Sequence, residues 1–589
     1  MARSLSCTLA ALFASAVSMA PAQAAPLPTA ALAGDWSGTL PFLPPKRVIV
    51  HVRPAGDQVR VTLDVPDLGV QGVPIQNLSR DGSRVAFSIP AASVRFDGEL
   101  QPGGHELRGS FADHEIVQPL ILGFAPSDAP PPPFKITALA AGKPPGAEQI
   151  RQVLKSEIAA RQAVGLIVGV VGPDGRMIVS EGVADPAEDP APIGADRPLF
   201  VESVVKAFTG LLLADMVQRG DVKLDDPLDL YLPAGVHAPE RNGHKITLLD
   251  LATHTSGLPR GPDDFAADAP RNYPADQMHR ALVRYQLTRD PGQAYEYSDW
   301  GSALLGDALA RRAGMGFEAL VRARITSPLG MSATSTQPTP AILAGLPLEH
   351  DSGLRPRPPA PAFADSWVPA YELYTTVDDL LRFLQPQLGG PAGPLRPASD
   401  LARTVRRPIG PLAEASLAWE VRHIGQPSAE VFGVSGGSRS MRAYVAFRSD
   451  THVGVVVYSN ASTAANPEDI GLYVLTGRAI PPPPPPIAAA DTVAIDLPAG
   501  ALDGLVGRYR LTPQMVINIT AQGARLFGAV NDNPLTELFP SSPTRFFART
   551  ANAQAEFDLG ADGRATGLRL KWNGVDMAAS RIADEGGPR

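Results

Sequence analysis

The sequence predicts an α+β fold: an antiparallel sheet sandwiched by helices, carrying an inserted helical subdomain, with a small all-β barrel or sandwich domain on either side. Three observations predict it. A middle block begins and ends with strand-like segments and is helical in between. Blocks of short alternating strands precede and follow it. Two proline-rich runs, "APSDAPPPPFK" at 125–135 and "IPPPPPPIAAAD" at 480–491, separate the three blocks. Six consecutive prolines continue neither a helix nor a central strand and favour extended polyproline, so the runs read as stiff spacers.

Taken in order, the chain opens with "MARSLSCTLAALFASAVSMAPAQAAPLP". Arg3 is the only charge before an apolar stretch from Leu5 to Ala20, and "AQA" ends at Ala24 with small residues at the cleavage positions. Residues 1–24 are therefore expected to be a cleavable secretory signal peptide, which implies a periplasmic or secreted protein. The single cysteine, Cys7, lies inside this leader, so the mature chain is expected to hold no thiol, disulfide or cysteine-bound metal. Residues 26–126 read as an N-terminal β domain: "RVIVHVRPAGDQVRVTLDV" alternates apolar and polar residues across a Pro-Ala-Gly-Asp turn, and "SRVAFSI", "VRFDGEL" and "HELRGSF" continue the pattern. "LAGDWSGTL" resembles the first strand of lipocalin-like modules, with Trp36 as a core plug. A linker is expected at 127–144, the mixed block at 145–478, a second linker at 479–499 and a C-terminal β-barrel domain at 500–589. In that last block "GRYRLTP", "MVINITAQGARLFGAV" and "AEFDLGADGRATGLRLKW" are short strands joined by Gly/Asp turns.

Within the mixed block, "GAEQIRQVLKSEIAARQ" has helical periodicity and "GLIVGVVGPDGRMIVSEGV" reads as a hairpin. The segment from Ser203 to Gly220 reads as a helix closed by glycine. "DWGSALLGDALARRAG" and "TTVDDLLRFLQPQLG" are further helices, and "MRAYVAFRSDTHVGVVVYSN" is a strand pair.

The bulk composition excludes several functions. A chain of 589 residues exceeds one core, and 44% hydrophobic with 19% charged residues is ordinary for soluble globular protein. A net charge of -8 and the lack of a Lys/Arg run disfavour a nucleic-acid partner. No segment after the leader is apolar enough to span a bilayer, so no stable membrane insertion is expected. No His/Asp/Glu spacing resembles a zinc site and no Gly-x-Ser-x-Gly elbow occurs, so neither a cofactor nor an α/β-hydrolase triad is expected.

The chemistry centres on "FVESVVKAFTG", where Lys206 follows Ser203 by one helical turn. Of the eight lysines only this one has a serine three residues before it. Residues three apart share a helix face. At a helix start the serine hydroxyl lies near exposed N–H groups that favour developing negative charge, and a nearby amine of depressed pKa can take its proton. Read locally, the pair fits a nucleophile and its proton partner, or a helix cap beside a solvated lysine.

The segments that follow decide between these. "GDVKLDDPLDLYLP", "ITLLDLATHTSGLP", "PGQAYEYSDWGSALLGDAL" and "SPLGMSAT", in this order and spacing, resemble the serine β-lactamase and penicillin-binding protein superfamily, in its class C β-lactamase, DD-peptidase and esterase branch. The resemblance covers the middle block and implies a β-lactamase/transpeptidase-like fold there. It implies that Ser203 is the nucleophile, that Lys206 and Tyr297 move protons, and that the N–H groups of Ser203 and Gly437 form the oxyanion hole. Such donors are worth about 2.7–4 kcal/mol each in acyl transfer. The family's Tyr-x-Asn triplet falls on Tyr297-Ser298-Asp299, which leaves Tyr295 outside the chemistry. Its third element, usually Lys-Thr-Gly or His-x-Gly on an edge strand, falls on Val434-Ser435-Gly436. Asp299, Ser435 and Gly436 are then substrate-binding positions. His254 in "THTSGLP" falls in a structural loop near the site.

Two departures shape the expected activity. Asp299 replaces an asparagine, and a carboxylate only accepts hydrogen bonds. Ionised beside Lys206, it would keep the lysine protonated and leave Tyr297 as the base in a less positive site. Val434 removes the cation that would face a substrate carboxylate, which Arg439 or Arg442 in the next loop could restore. The expectation is a secreted serine hydrolase acting through an acyl-enzyme on ester or amide bonds of a small-molecule or peptide substrate, possibly derived from cell wall, esterase-like or D-aminoacyl peptidase-like, with weak or no β-lactamase activity. The competing expectation is a non-catalytic cell-envelope binding or receptor protein on the same fold.

Overall fold

The computed structural model describes residues 32–582 except 42–45, 56–57, 66–69, 90–93, 114–115, 128–134, 137–143, 161–162, 186–188, 266–271, 352–353, 355, 358–361, 390–392, 411–412, 425–428, 439, 464–465, 479, 481–492, 499, 532–535, 549–552 and 573. Residues 1–24, expected to be a signal peptide, most of both proline runs and Arg439 lie outside the described residues. The chain divides into two compact units. One comprises Leu139–Ile409 and Ala413–Ile480; the other is formed by the regions on either side of it in sequence.

The middle unit is built on a nine-stranded sheet whose named pairs are antiparallel. The hairpin of Gly165–Gly172 and Gly175–Asp185 turns at Pro173-Asp174, as the Gly-Pro-Asp-Gly sequence predicts. Its first strand pairs with Val453–Ser459, the last strand of the sheet, so the two ends of the unit's chain are zipped together (Leu166 opposite Ser459). Arg442–Arg448 and Ala429–Gly437 follow outward. One face of the sheet is covered by Ala147–Ala159 and Pro467–Thr476 around Leu154, Val168 and Val455. The other carries a larger core in which Phe208, Phe383 and Trp419 stack. The helix Val205–Gln218 is buried on nearly every side. That explains why its sequence is apolar throughout rather than amphipathic.

The second unit holds both β modules. The N-terminal one is a ten-stranded sheet, mostly a meander, in which Gly34–Leu40 pairs with Lys46–Ala55 on one side and Ile116–Ala125 on the other. Trp36 fills its core and donates through Nε1 to the Leu32 carbonyl at 2.9 Å. The C-terminal one is a closed eight-stranded barrel, sealed where Gly507–Thr512 pairs with Val575–Ile582. The modules pack on each other. Ser110 and Thr512 share a buried hydrogen bond of 3.1 Å, Arg108 donates to the Ala578 carbonyl at 2.9 Å, and Ile121 rests on the barrel's core.

One helix breaks its own pattern. Ala147–Ala159 buries Ile150, Leu154 and Glu157 on one stripe, so a carboxyl occupies an apolar position. Burial, and then the charge of Asp469, push the Glu157 carboxyl up to about 7. A raised carboxyl pKa means the folded state favours the proton. Stability is therefore undiminished below the ordinary value of 4.5 and is lost as pH rises towards 7. Glu157→Gln is expected to stabilise this unit by roughly 2 kcal/mol at pH 8 and to leave it unchanged at pH 4, read by calorimetry at the two pH values.

Candidate active site

Ser203 sits in a single 3-10 turn, Glu202–Val204, that runs directly into Val205–Gln218. Its side chain makes no helix-capping hydrogen bond, and Lys206 is 2% exposed. The reading of a cap beside a solvated lysine is thereby excluded. Lys206 Nζ donates to Ser203 Oγ at 3.0 Å and to the Ala370 carbonyl at 2.5 Å, and lies 2.8 Å from Asp299 Oδ1.

The Tyr297-Ser298-Asp299 segment arrives at the start of the helix Asp299–Ala313. Ser298 caps that helix, accepting from the Gly301 N–H and donating to the Pro259 carbonyl, each at 2.8 Å. His254 supports the same turn. It is held at a positive φ of 57°, and its Nδ1 accepts from the Ser298 N–H at 3.1 Å. Its ring packs 4.6 Å from that of Tyr297. Burial, then the Lys206 charge, push its pKa down to about 4, so it is neutral with the remaining proton on Nε2. Tyr295 meets His254 edge-on from the other side. The Tyr297 ring lies 5.2 Å from Lys206 Nζ, so serine, lysine and phenol converge from segments almost a hundred residues apart.

Asp299 does not face substrate, as the sequence suggested. It is fully buried and both oxygens are engaged: Oδ1 by Lys206, Oδ2 by Arg260 Nε at 2.9 Å and by the Tyr371 hydroxyl at 2.7 Å. Burial opposes its charge, but Lys206 and Arg260 together hold its carboxyl below the ordinary range. Burial would likewise lower Lys206. The Asp299 carboxylate and the Tyr297 phenol outweigh it and hold the ammonium protonated, as expected from the aspartate. The site is not depleted of positive charge, however. The guanidinium of Arg260 stands 5.7 Å from the Tyr297 ring, and its side chain is 70% exposed. Arg260 and Tyr371 were missed in the sequence. The first follows directly on "SGLP", a motif that was recognised, but nothing local links it to residue 299.

Residues 434–437 form the end of Ala429–Gly437. The neighbouring strand Glu420–Ile424 stops at the partner of Gly433, so this end is paired only with Arg442–Arg448. A Cβ on Gly436 would sit 1.9 Å from the Val201 carbonyl, so only glycine lets the serine turn press against the strand. Val434 packs on the main core. Arg442 pairs across from Gly437, and strand alternation puts it on the sheet face opposite Val434. It therefore does not replace the missing cation there. The outward edge of Gly437 is occupied from within: its N–H donates to Glu202 Oε2 at 2.8 Å, and the Ser203 hydroxyl donates to the same oxygen at 3.3 Å.

Elsewhere, Glu414, His423 and Glu430 form a cluster with metal-like spacing, but Arg406 already bridges both glutamates. No helix among the described residues is long and apolar enough to cross a membrane.

Comparisons with known proteins bear on the family and the fold. Residues 150–477 match the family model described as Beta-lactamase, and residues 491–582 match a domain of unknown function (DUF3471). The D-alanyl-D-alanine-carboxypeptidase/endopeptidase AmpH of Escherichia coli (strain K12) is 34% identical over 228 residues, 38% of this chain and 58% of that protein. A beta-lactamase of Lysobacter lactamgenus is 26% identical over 366 residues, 56% of this chain and 89% of that one. The chain thus spans under two thirds of the first relative's length. The octameric penicillin-binding protein homologue from Pyrococcus abyssi shares the fold, with a TM-score of 0.50 at 17% identity over 73% of this chain and 99% of that one. A family model that covers more than half of the sequence, on a fold of the same kind, leads to one conclusion: the chain belongs to the beta-lactamase family.

Proposed function

We propose that the protein is an exported serine hydrolase that works through an acyl-enzyme on ester or amide bonds. The observation that carries this reading is the buried Lys206 ammonium, 3.0 Å from the Ser203 oxygen and within 5.2 Å of the Tyr297 ring. Ser203 Oγ attacks the acyl carbonyl and its proton passes to Tyr297, since Lys206 is held protonated by Asp299. The N–H groups of Ser203 and Gly437 hold the oxyanion. The intermediate collapses with cleavage of the substrate's C–O or C–N bond as Tyr297 passes that proton to the leaving group, and water then releases the acyl chain by the reverse sequence. Lys206 and Arg260 place two positive charges 5.2 Å and 5.7 Å from the Tyr297 ring.

Val434, in the apolar core rather than facing the cleft as a cation, supports substrates without an obligatory carboxylate at that strand. The substrate class we infer is an ester or a D-aminoacyl amide of the kind cell-wall fragments carry, with β-lactams turned over weakly or not at all. The leader at 1–24 supports a periplasmic or secreted location. A non-catalytic receptor is favoured by one feature only, the Glu202 carboxylate against the Gly437 N–H.

Three outcomes test this. A fluorophosphonate probe is expected to label the wild type and not Ser203→Ala, and p-nitrophenyl ester turnover should vanish in the same variant; an unlabelled wild type would favour the receptor. Tyr297→Phe should lower kcat at least 100-fold with KM little changed, measured on the same ester. Asp299→Asn leaves Lys206 buried without its counter-charge and should cost on the order of 3 kcal/mol in urea unfolding, whereas Arg260→Gln, at an exposed partner, should cost less than about 1 kcal/mol.

A further inference from the structure

Glu202 is the residue in the site that no part of the reaction above uses. Its backbone φ is +45°, a conformation non-glycine residues avoid at a cost of order 1 kcal/mol or more. The conformation persists because its neighbours are pinned: Val201 N–H donates to the Leu373 carbonyl at 3.0 Å, and the Val201 carbonyl lies against Gly436. The strained turn aims the side chain along the unpaired edge of residues 434–437. There one carboxylate oxygen accepts from the Gly437 N–H at 2.8 Å and from the Ser203 hydroxyl at 3.3 Å.

That oxygen therefore takes up one of the two N–H donors assigned above to the oxyanion, and it also accepts from the nucleophile's hydroxyl. Burial, with the Asp299 charge adding to it, leaves the Glu202 carboxyl above its ordinary value; the Gly437 N–H and the Lys206 and Arg260 charges offset only part of this. The charge of Glu202 in turn raises the Glu349 carboxyl, which burial already pushes up and which accepts from the Ser440 hydroxyl.

Resting on the acyl-enzyme reading above, we propose that Glu202 is a specificity-determining residue: its carboxylate fills the oxyanion site at rest, and only acyl donors with enough contacts elsewhere in the cleft displace it efficiently. The fraction of molecules with the site open scales the apparent affinity for any substrate. A small ester with few anchoring contacts has little binding energy to spend on displacement, whereas an extended peptide or polymer fragment has more. The residue thus holds down adventitious hydrolysis of small esters.

The test compares wild type, Glu202→Gly and Glu202→Gln on p-nitrophenyl acetate and in the rate of labelling by a fluorophosphonate probe. Glycine accepts a φ of +45° without strain, so the fold is expected to hold, checked by an unchanged or higher Tm. Glu202→Gly should raise kcat/KM on the acetate and the labelling rate at least 10-fold. Glu202→Gln keeps a carbonyl that can reach the Gly437 N–H but loses the charge, and should give a smaller rise. A wild type that is labelled while a folded Glu202→Gly is labelled at the same rate or more slowly overturns the proposal and leaves the acyl-enzyme reading standing. If neither the wild type nor either variant is labelled above the level of Ser203→Ala, the acyl-enzyme reading falls and this inference falls with it.

Discussion

The ion pair between Lys206 and Asp299 is the contact on which the rest of the cleft depends. Neither charge is tolerable alone at that depth, because taking an ammonium or a carboxylate out of water costs several kcal/mol. Paired at 2.8 Å, and braced by the Ala370 carbonyl, Tyr371 and Arg260, they become the fixed point around which the serine turn, the Tyr297 segment and the 364–371 region are arranged. The pairing also allocates chemical roles. A lysine with a carboxylate at that distance is held as an ammonium, so it is an electrostatic element of the cleft.

The second constraint is steric. The serine turn approaches the 434–437 edge so closely that position 436 has no room for a side chain. This approach brings two elements more than 200 residues apart into one cleft, and it also leaves the N–H of Gly437 projecting into it. The overhang of that strand past its neighbour supplies an unpaired edge, which is what an acyl donor with a peptide-like backbone requires.

The fold was legible in the sequence because its signals are local. The hairpin around Pro173-Asp174, the glycine stops at Gly220, Gly314 and Gly389, and the alternation of the β modules each follow from short-range chemistry. Ser203, Lys206 and Tyr297 were legible through motif order. Arg260 and Tyr371 were not, because their significance lies in a charge buried 39 and 72 positions away, and periodicity carries no information about that. Asp299 was visible as a departure and was placed beside Lys206; that its second oxygen is taken up by Arg260 and Tyr371 was not legible. Glu202 was quoted in the sequence and passed over, since a glutamate at a helix start looks like ordinary dipole compensation; only its backbone angle and the position of one oxygen set it apart.

The seam between the N-terminal sheet and the C-terminal barrel bears on how the chain is made. Ser110 and Ile121 leave the ribosome some 390 residues before Thr512 and the barrel core that cover them. During that interval an apolar patch and a polar group meant to be dry are bare. A nascent chain interrupted before residue 500 carries a sheet with no lid, and such a fragment is a natural client for holdase chaperones and a natural target for proteases.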